Sequence, residues 1–307
     1  MSDAELVKQA DIVLSIVPPR DALTTARRIV EACRSTDLAE RGDHIPALTY
    51  IDLNAISPRS AKTIASLIYG EVSSPPLPER RSSFPFRHQE PDFRYVPINF
   101  LDGGIIGGPP SLQADKTWKK PSVVISGPPE QALDAELSSV LNVKHISNTI
   151  GPASALKSCF ASLGKGLIAL AILSFTTAEA CGVLRELQAH LEEFNPAVGA
   201  AAAGGLSVMP AKAYRWVEEM NQIAETFADQ GDFGEGMGGK AVFNGISEIY
   251  KFVADETELT EEKEGNRKRG RTVEDVVKCI RDGMQKRRKS GAGDDEDLSL
   301  TWRGSWS

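Results

Sequence analysis

The sequence predicts two successive regions of different class: an α/β region with a parallel sheet, then an all-α region built around one long helix. Three observations carry this. Short runs of β-branched and aliphatic residues alternate with helical-period segments through the first part of the chain. Beyond Gly151 the pattern is helical only. Within that second part, residues 152–181 are apolar nearly all round from Gly166 onward, which calls for burial on most sides.

The elements follow in order. Asp11-Ile-Val-Leu-Ser-Ile-Val17 is almost continuously apolar, as suits a buried parallel strand, and Pro18-Pro19 end it. Leu23, Ala26, Ile29, Val30 and Cys33 recur at helical spacing. Residues 48–53 form a second strand. Ser57-Pro58 supplies an N-cap with proline at the first helical position, and Ala61, Ile64 and Leu67 continue that helix. Residues 71–97 break the pattern with Pro75, Pro76, Pro78, Pro85, Pro91 and Pro97; such an insert reads either as a mobile loop or as a gene-model artefact. The sheet resumes with strands at 98–102, 122–126 and 143–146, and a short helix spans 130–140.

Past Gly151 come the long helix, a second one after Gly182, and a small-residue patch from Ala200 to Gly205 that reads as a loop or a tight helix contact. Ala213, Trp216, Val217, Met220, Ile223, Ala224 and Phe227 share one helix face, and Ile246, Ile249, Tyr250 and Val253 another. Thr272-Val-Glu-Asp275 resembles a capping box opening a last helix to about residue 289. The domains expected are 1–149, 150–289 and a disordered tail at 290–307.

A chain of 307 residues can bury one large or two medium cores. With 41% hydrophobic and 25% charged residues it reads as globular and soluble. A net charge of −7 gives no general attraction for nucleic acid. Cys33, Cys159, Cys181 and Cys279 form no CxxC pair and read as reduced, buried thiols of an intracellular protein. His44, His88, His145 and His190 have no metal-ligand spacing. No signal peptide is evident, and Gly166–Phe175 falls short of the roughly 20 apolar residues a bilayer span needs, so a cytoplasmic protein away from membranes is expected.

Two motifs carry chemistry. Lys157 lies one turn into the long helix, near the positive end of its dipole, where a lysine can be tuned for proton transfer. Alone, a helical lysine is more often a solvated surface group. Asp102-Gly-Gly-Ile-Ile-Gly107-Gly108 reads as a strand ending in a glycine-rich turn whose N–H groups suit an anion such as a substrate carboxylate; alone, it is a plain turn. Gly234-Glu-Gly236-Met-Gly-Gly239 matches GxGxxG but follows a helix rather than a strand, so it is a helix–helix loop. The basic runs Arg267–Arg271 and Lys286–Lys289 are flanked by acidic residues and read as a solvated, partly paired surface.

Five stretches taken together resemble the β-hydroxyacid dehydrogenase superfamily, the relatives of 6-phosphogluconate dehydrogenase, in the branch with a phosphogluconate-dehydrogenase-like C-terminal domain. They are Ala10–Pro19, Asp52–Pro58, Leu101–Pro110, Ser154–Gly166 and Met209–Trp216, in the family's order. The resemblance implies an incomplete Rossmann-type parallel sheet with a helical substrate and dimerisation domain, NADP or NAD as cofactor, a hydroxy acid or an imine as substrate, and a homodimer. It implies Lys157 as general acid/base; Asp102, Gly107, Gly108, Ser154 and Lys212 at the substrate, with Arg215 beside Lys212; and Val17, Pro18 and Asn54 at the dinucleotide. The serine usual in the substrate loop is absent from Gly104-Ile105-Ile106, and Ala161 stands where an asparagine is usual, which implies a substrate preference other than simple hydroxy acids. The strand–GxGxxG–helix unit is expected before residue 1, a truncation of roughly 30 residues or more. The alternatives are a truncated, non-catalytic protein that keeps the dimerisation domain, and an imine reductase.

Overall fold

The computed structural model describes residues 1–42, 47–70, 94–234, 236–261 and 267–290. Most of the proline-rich insert, the acidic flank at 262–266 and the tail from 291 lie outside the described residues, as do His44 and His88. Two compact units form: Met1–Leu163 with Glu218–Asn244, and Gly164–Val217 with Gly245–Ser307.

The first unit holds α1 (Asp3–Gln9), β1 (Ile12–Ser15), α2 (Ala22–Ser35), β2 (Leu48–Asp52), α3 (Pro58–Tyr69), β3 (Ile98–Ile106), the two-residue hairpin strands β4 (Ser111–Leu112) and β5 (Trp118–Lys119), β6 (Ser122–Ser126), α4 (Ala135–Leu141), β7 (Val143–Ser147) and the first turns of α5 (Pro152–Ala180). The sheet order is β1-β2-β3-β6-β7. β1, β2 and β3 are parallel, β6 returns antiparallel to β3, and β7 is parallel to β6. The antiparallel step arises because β3 feeds β6 through the β4–β5 hairpin instead of a crossover helix.

One sheet face carries the larger core. Ala26, Ile29 and Cys33 of α2, Ala61 and Ile64 of α3, and Val7 of α1 pack on Leu48, Tyr50 and Phe100. Fully burying an aliphatic side chain of this size contributes roughly 1.5–3 kcal/mol, so the period that marks these helices in the sequence is also what holds them down. Arg41 is buried at the end of α1, where it donates to the carbonyls of Val7 and Ala10 and pairs with Asp11. The end of the insert joins this unit: Val96 is buried and its N–H donates to the Cys33 carbonyl at 3.1 Å. The Ser57 cap forms as the sequence predicts, accepting from the Ser60 N–H at 3.0 Å, and Gly70 closes α3 at φ +77°.

The second unit holds the remainder of α5, α6 (Leu184–Phe194), α7 (Pro196–Val208), the start of α8 (Ala213–Gln230), most of α9 (Gly239–Glu256) and α10 (Val273–Lys289). Trp216 meets Tyr250 edge-on at 5.1 Å, and the Tyr250 hydroxyl donates to the Lys165 carbonyl at 2.5 Å. The patch from Ala200 to Gly205 lies within α7 and is a tight helix contact: a Cβ at Gly205 would collide with Ile168. Only half of the capping box of α10 forms. Thr272 accepts from the Asp275 N–H at 3.2 Å, while the Asp275 carboxylate turns to Arg269.

Three expectations need correction. Cys159 and Cys181 are exposed thiols; only Cys33 and Cys279 are buried. β3 does not end at Asp102 but runs on to Ile106, because Gly103 and Gly104 stay in register with Ile125 and Val124 of β6. And α5 is not buried on most sides. Its small residues Ala153, Ser154, Ser158, Ala161, Ser162 and Ala169 face inward, whereas Phe160, Leu163 and Leu170 are 55%, 78% and 61% exposed. The helix as a whole, at 29 residues, is long and apolar enough by length and composition to cross a membrane. Its first turn is nevertheless bonded into the sheet, which marks it as part of a globular unit.

Candidate functional site

The site grows from the carboxyl ends of β1, β2, β3 and β6, where four short polar residues stand in register. Ser15 of β1 pairs with Asp52 of β2, Asp52 with Asp102 of β3, and Asp102 with Ser126 of β6. All four are buried, and both aspartates have no exposed surface. Buried polar groups must be bonded, and these are. Asp52 accepts from the Asn54 N–H at 2.9 Å and from its side-chain amide at 2.8 Å. The same amide reaches Ser15 Oγ at 3.0 Å, and Asn54 Oδ1 accepts from the Val17 N–H at 2.6 Å. The loop after β1 is thereby fastened to the loop after β2.

Asp102 bonds in the other direction, toward α5. Its Oδ2 accepts from the Gly151 N–H at 3.0 Å, the Ser154 N–H at 3.1 Å and Ser126 Oγ at 2.9 Å, and its Oδ1 accepts from the Ser154 hydroxyl. Ser126 Oγ in turn accepts from the Ala153 N–H at 3.0 Å. The amides at the start of α5 are therefore capped from the sheet, and Gly151, at φ +120°, makes the turn into the helix. Burial pushes Asp52 up to about 6, against the pull of its Asn54 bonds and with a further push from the Asp102 charge. Burial also raises Asp102, opposed by the bonds from Ser154, Ser126 and Gly151.

Lys157, one turn into α5, is half-buried, and its ammonium donates to the Ile105 carbonyl. Gly104 makes room for it: a Cβ there would lie 3.0 Å from Lys157 Cβ and 3.4 Å from its Cγ. Close by, the start of α3 is tied to the later part of α8. Gln222 Oε1 accepts from the Ser57 N–H at 2.8 Å and from Ser60 Oγ at 2.9 Å, and Glu225 accepts from the Ser57 hydroxyl. Thr226 Oγ1 donates to Ser158 Oγ of α5 at 3.1 Å.

The structure thus brings Lys157, Asp102, Ser154, Asn54, Val17 and Pro18 to one edge of one sheet. Gly107 and Gly108 lie just past β3, exposed, with Gly107 at φ +110°. Lys212 belongs to the second unit, in the 3-10 turn that opens α8, and Arg215 follows it, exposed. In this conformation Asp102 and Ser154 have no surface to offer a substrate, because each is consumed in joining β3 to α5. Sequence reasoning missed Asp52, Ser126, Gly104 and Gln222. The signal for the first two was a polar residue directly after the apolar run of each strand, Asp52 after Ile51 and Ser126 after Ile125.

Val17 is half-buried and Pro18 exposed at the end of β1, where they make a small apolar shelf. Among the described residues no glycine-rich turn joins a strand to a helix; Gly234 and Gly236 lie between α8 and α9, and Gly239 opens α9, as the sequence implies. No group of three His, Cys, Asp or Glu residues among those described is placed to hold a metal. A cavity of about 340 Å³ lined by Leu14, Ile51, Leu53, Ile105 and Val123 lies on the other face of the sheet, since Ile105 and Gly104 point to opposite sides of β3.

Residues 178–253 match a family model described as a domain of unknown function, DUF1932. No curated protein matches. A conserved hypothetical protein from Sinorhizobium meliloti 1021 is similar over 92% of this chain and 78% of that one, at 19% identity and a TM-score of 0.52. The 3-hydroxyisobutyrate dehydrogenase of Mycobacterium tuberculosis, solved with L-serine, is similar over 91% of this chain and 81% of that one, at 16% identity and a TM-score of 0.52. The chain has the 3-hydroxyisobutyrate dehydrogenase fold. The fold that the resemblance implied is borne out, as is the division into a mainly parallel sheet and a helical region.

Proposed function

We propose that this chain is an oxidoreductase of the β-hydroxyacid dehydrogenase type, acting with NADP or NAD on a hydroxy acid or an imine. The observation that carries the reading is Lys157, set at the carboxyl edge of the sheet against Gly104 and Ile105 on a 3-hydroxyisobutyrate dehydrogenase fold. The dinucleotide, when bound, supplies or accepts the hydride. Lys157 handles the proton. As an ammonium it gives one to the substrate oxygen or imine nitrogen during reduction, and as an amine it removes one from the hydroxyl or amine during oxidation. Its bond to the Ile105 carbonyl keeps the group aimed until a substrate atom replaces that acceptor. Gly107 and Gly108 offer exposed backbone to a substrate carboxylate. Val17 and Pro18 meet the nicotinamide end, with Asn54 fixing their loop. The serine usual in the substrate loop is absent from Gly104-Ile105-Ile106, and Ala161 stands in place of an asparagine, which favours a substrate other than simple hydroxy acids.

The assembly we propose is a homodimer in the cytoplasm. The exposed positions Leu156, Phe160, Leu163, Leu170 and Leu173 make an apolar stripe along α5 that suits a second copy. The same stripe supports a second reading, a non-catalytic dimer. Turnover of a panel of hydroxy acids and imines with NADPH, NADH and their oxidised forms, comparing wild type with Lys157→Ala, separates the two. The enzyme reading expects activity that falls about 10²- to 10⁴-fold in the variant. Equal rates in the two proteins overturn the role of Lys157, and no turnover by the wild type favours the non-catalytic dimer.

A further inference from the structure

We infer that Asp102 is a positioning residue for Lys157: it caps the start of α5 from the sheet and so sets where the lysine stands. The inference rests on the proposed role of Lys157 but is drawn from separate observations. A helix N-terminus leaves amides without intrahelical partners, and a residue at the N-cap ordinarily accepts from the second or third of them. Gly151, immediately before Pro152, has no side chain to do this. The acceptors come instead from strands lying 27 to 52 residues away in sequence: Asp102 takes the amides of Gly151 and Ser154, and Ser126 takes that of Ala153. The Ser154 hydroxyl closes the arrangement on the second oxygen of Asp102.

Lys157 lies three residues beyond Ser154, just under a full turn, so a shift of the first turn carries the lysine with it. The same strand that supplies Asp102 supplies both surfaces the lysine rests on, Gly104 and the Ile105 carbonyl. Helix start and lysine are thus indexed to one strand. The anchor is buried: Asp102, Ser126, Ala153 and Ser154 have no exposed surface.

The test compares Asp102→Ala, Asp102→Asn and Ser126→Ala with wild type. Asn keeps an acceptor for the amides and can donate to the Ser154 hydroxyl, whereas Ala leaves the amides bare. Two readouts are taken on folded protein: kcat and KM, and the rate of acetic anhydride labelling at Lys157 relative to Lys62 by peptide mass spectrometry. Asp102→Ala should lower kcat about ten- to a hundred-fold with little change in KM, and Asn should restore most of it. Lys157 labelling should rise several-fold in Ala and return toward wild type in Asn. Ser126→Ala removes only the Ala153 acceptor and should show the same changes at smaller size; it carries the test should Asp102→Ala not fold. Variants that melt at lower temperature yet keep wild-type labelling overturn the inference. The labelling arm needs no turnover, so an inactive wild type would sink the enzyme reading and leave this one decided on its own.

Discussion

Asp52 of β2 and Asp102 of β3 are partners in parallel register, and neither has any exposed surface. Asp52 fastens the loop that follows β1 through Asn54, while Asp102 fastens α5 through Ser154 and Gly151. Two adjacent carboxylates thus hold the two sides of one edge.

That pairing makes stability depend on pH in a stated direction. Asp52 is raised from 3.8 to about 6 on folding, so the folded state holds its proton more tightly than the unfolded chain. Its contribution is fully present below 3.8 and is lost as pH rises through about 6. Asp102 is raised as well and acts in the same sense. In urea unfolding, wild type relative to Asp52→Asn should lose up to roughly 3 kcal/mol between about pH 4 and pH 7. A wild type that gains stability relative to Asp52→Asn as pH rises would contradict the burial argument.

Gly104 is the position where a side chain would meet the lysine. Gly104→Ala sets a Cβ 3.0 Å from Lys157 Cβ and should lower kcat about tenfold or more while the protein stays folded. Gly245→Ala in α9 has open space around its Cβ, and there the substitution should stabilise by about 0.5–1 kcal/mol, with activity unchanged. Melting curves and kinetics on the pair check both halves.

The exposed stripe of α5 leads to a prediction about mass. Light scattering should give twice 33.2 kDa for the wild type. Leu163→Glu with Leu170→Glu should move it to the monomer, because two carboxylates would be buried without partners in the interface. A monomeric wild type, or a double variant that remains dimeric, removes α5 from the interface.

How much of this was legible in the sequence depended on range. The Ser57 cap, the strands at β1, β2, β6 and β7, and the inward faces of α8 and α9 are set by neighbours a few residues apart, and period and capping residues reveal them. The cap on α5 is not local: Asp102 and Ser154 are 52 residues apart, and nothing in either neighbourhood names the other. Asp102 therefore reads as part of a glycine-rich turn, when its carboxylate is a joint between strand and helix. The exposure of α5 was hidden for a different reason. Apolar composition states that a surface will be covered, and it is silent on whether the cover comes from the same chain. Lys157 was found through its motif, while the reason it fits, the bare Gly104, needed the packing.

The most direct measurement is a calorimetric titration of this chain with NADPH and with NADH. The account predicts saturable heat at one site per chain for at least one of them, abolished or weakened when Pro18, on the shelf after β1, is replaced by Glu. No heat with either nucleotide at concentrations up to about millimolar, where a Kd corresponds to only about −4 kcal/mol, would contradict it.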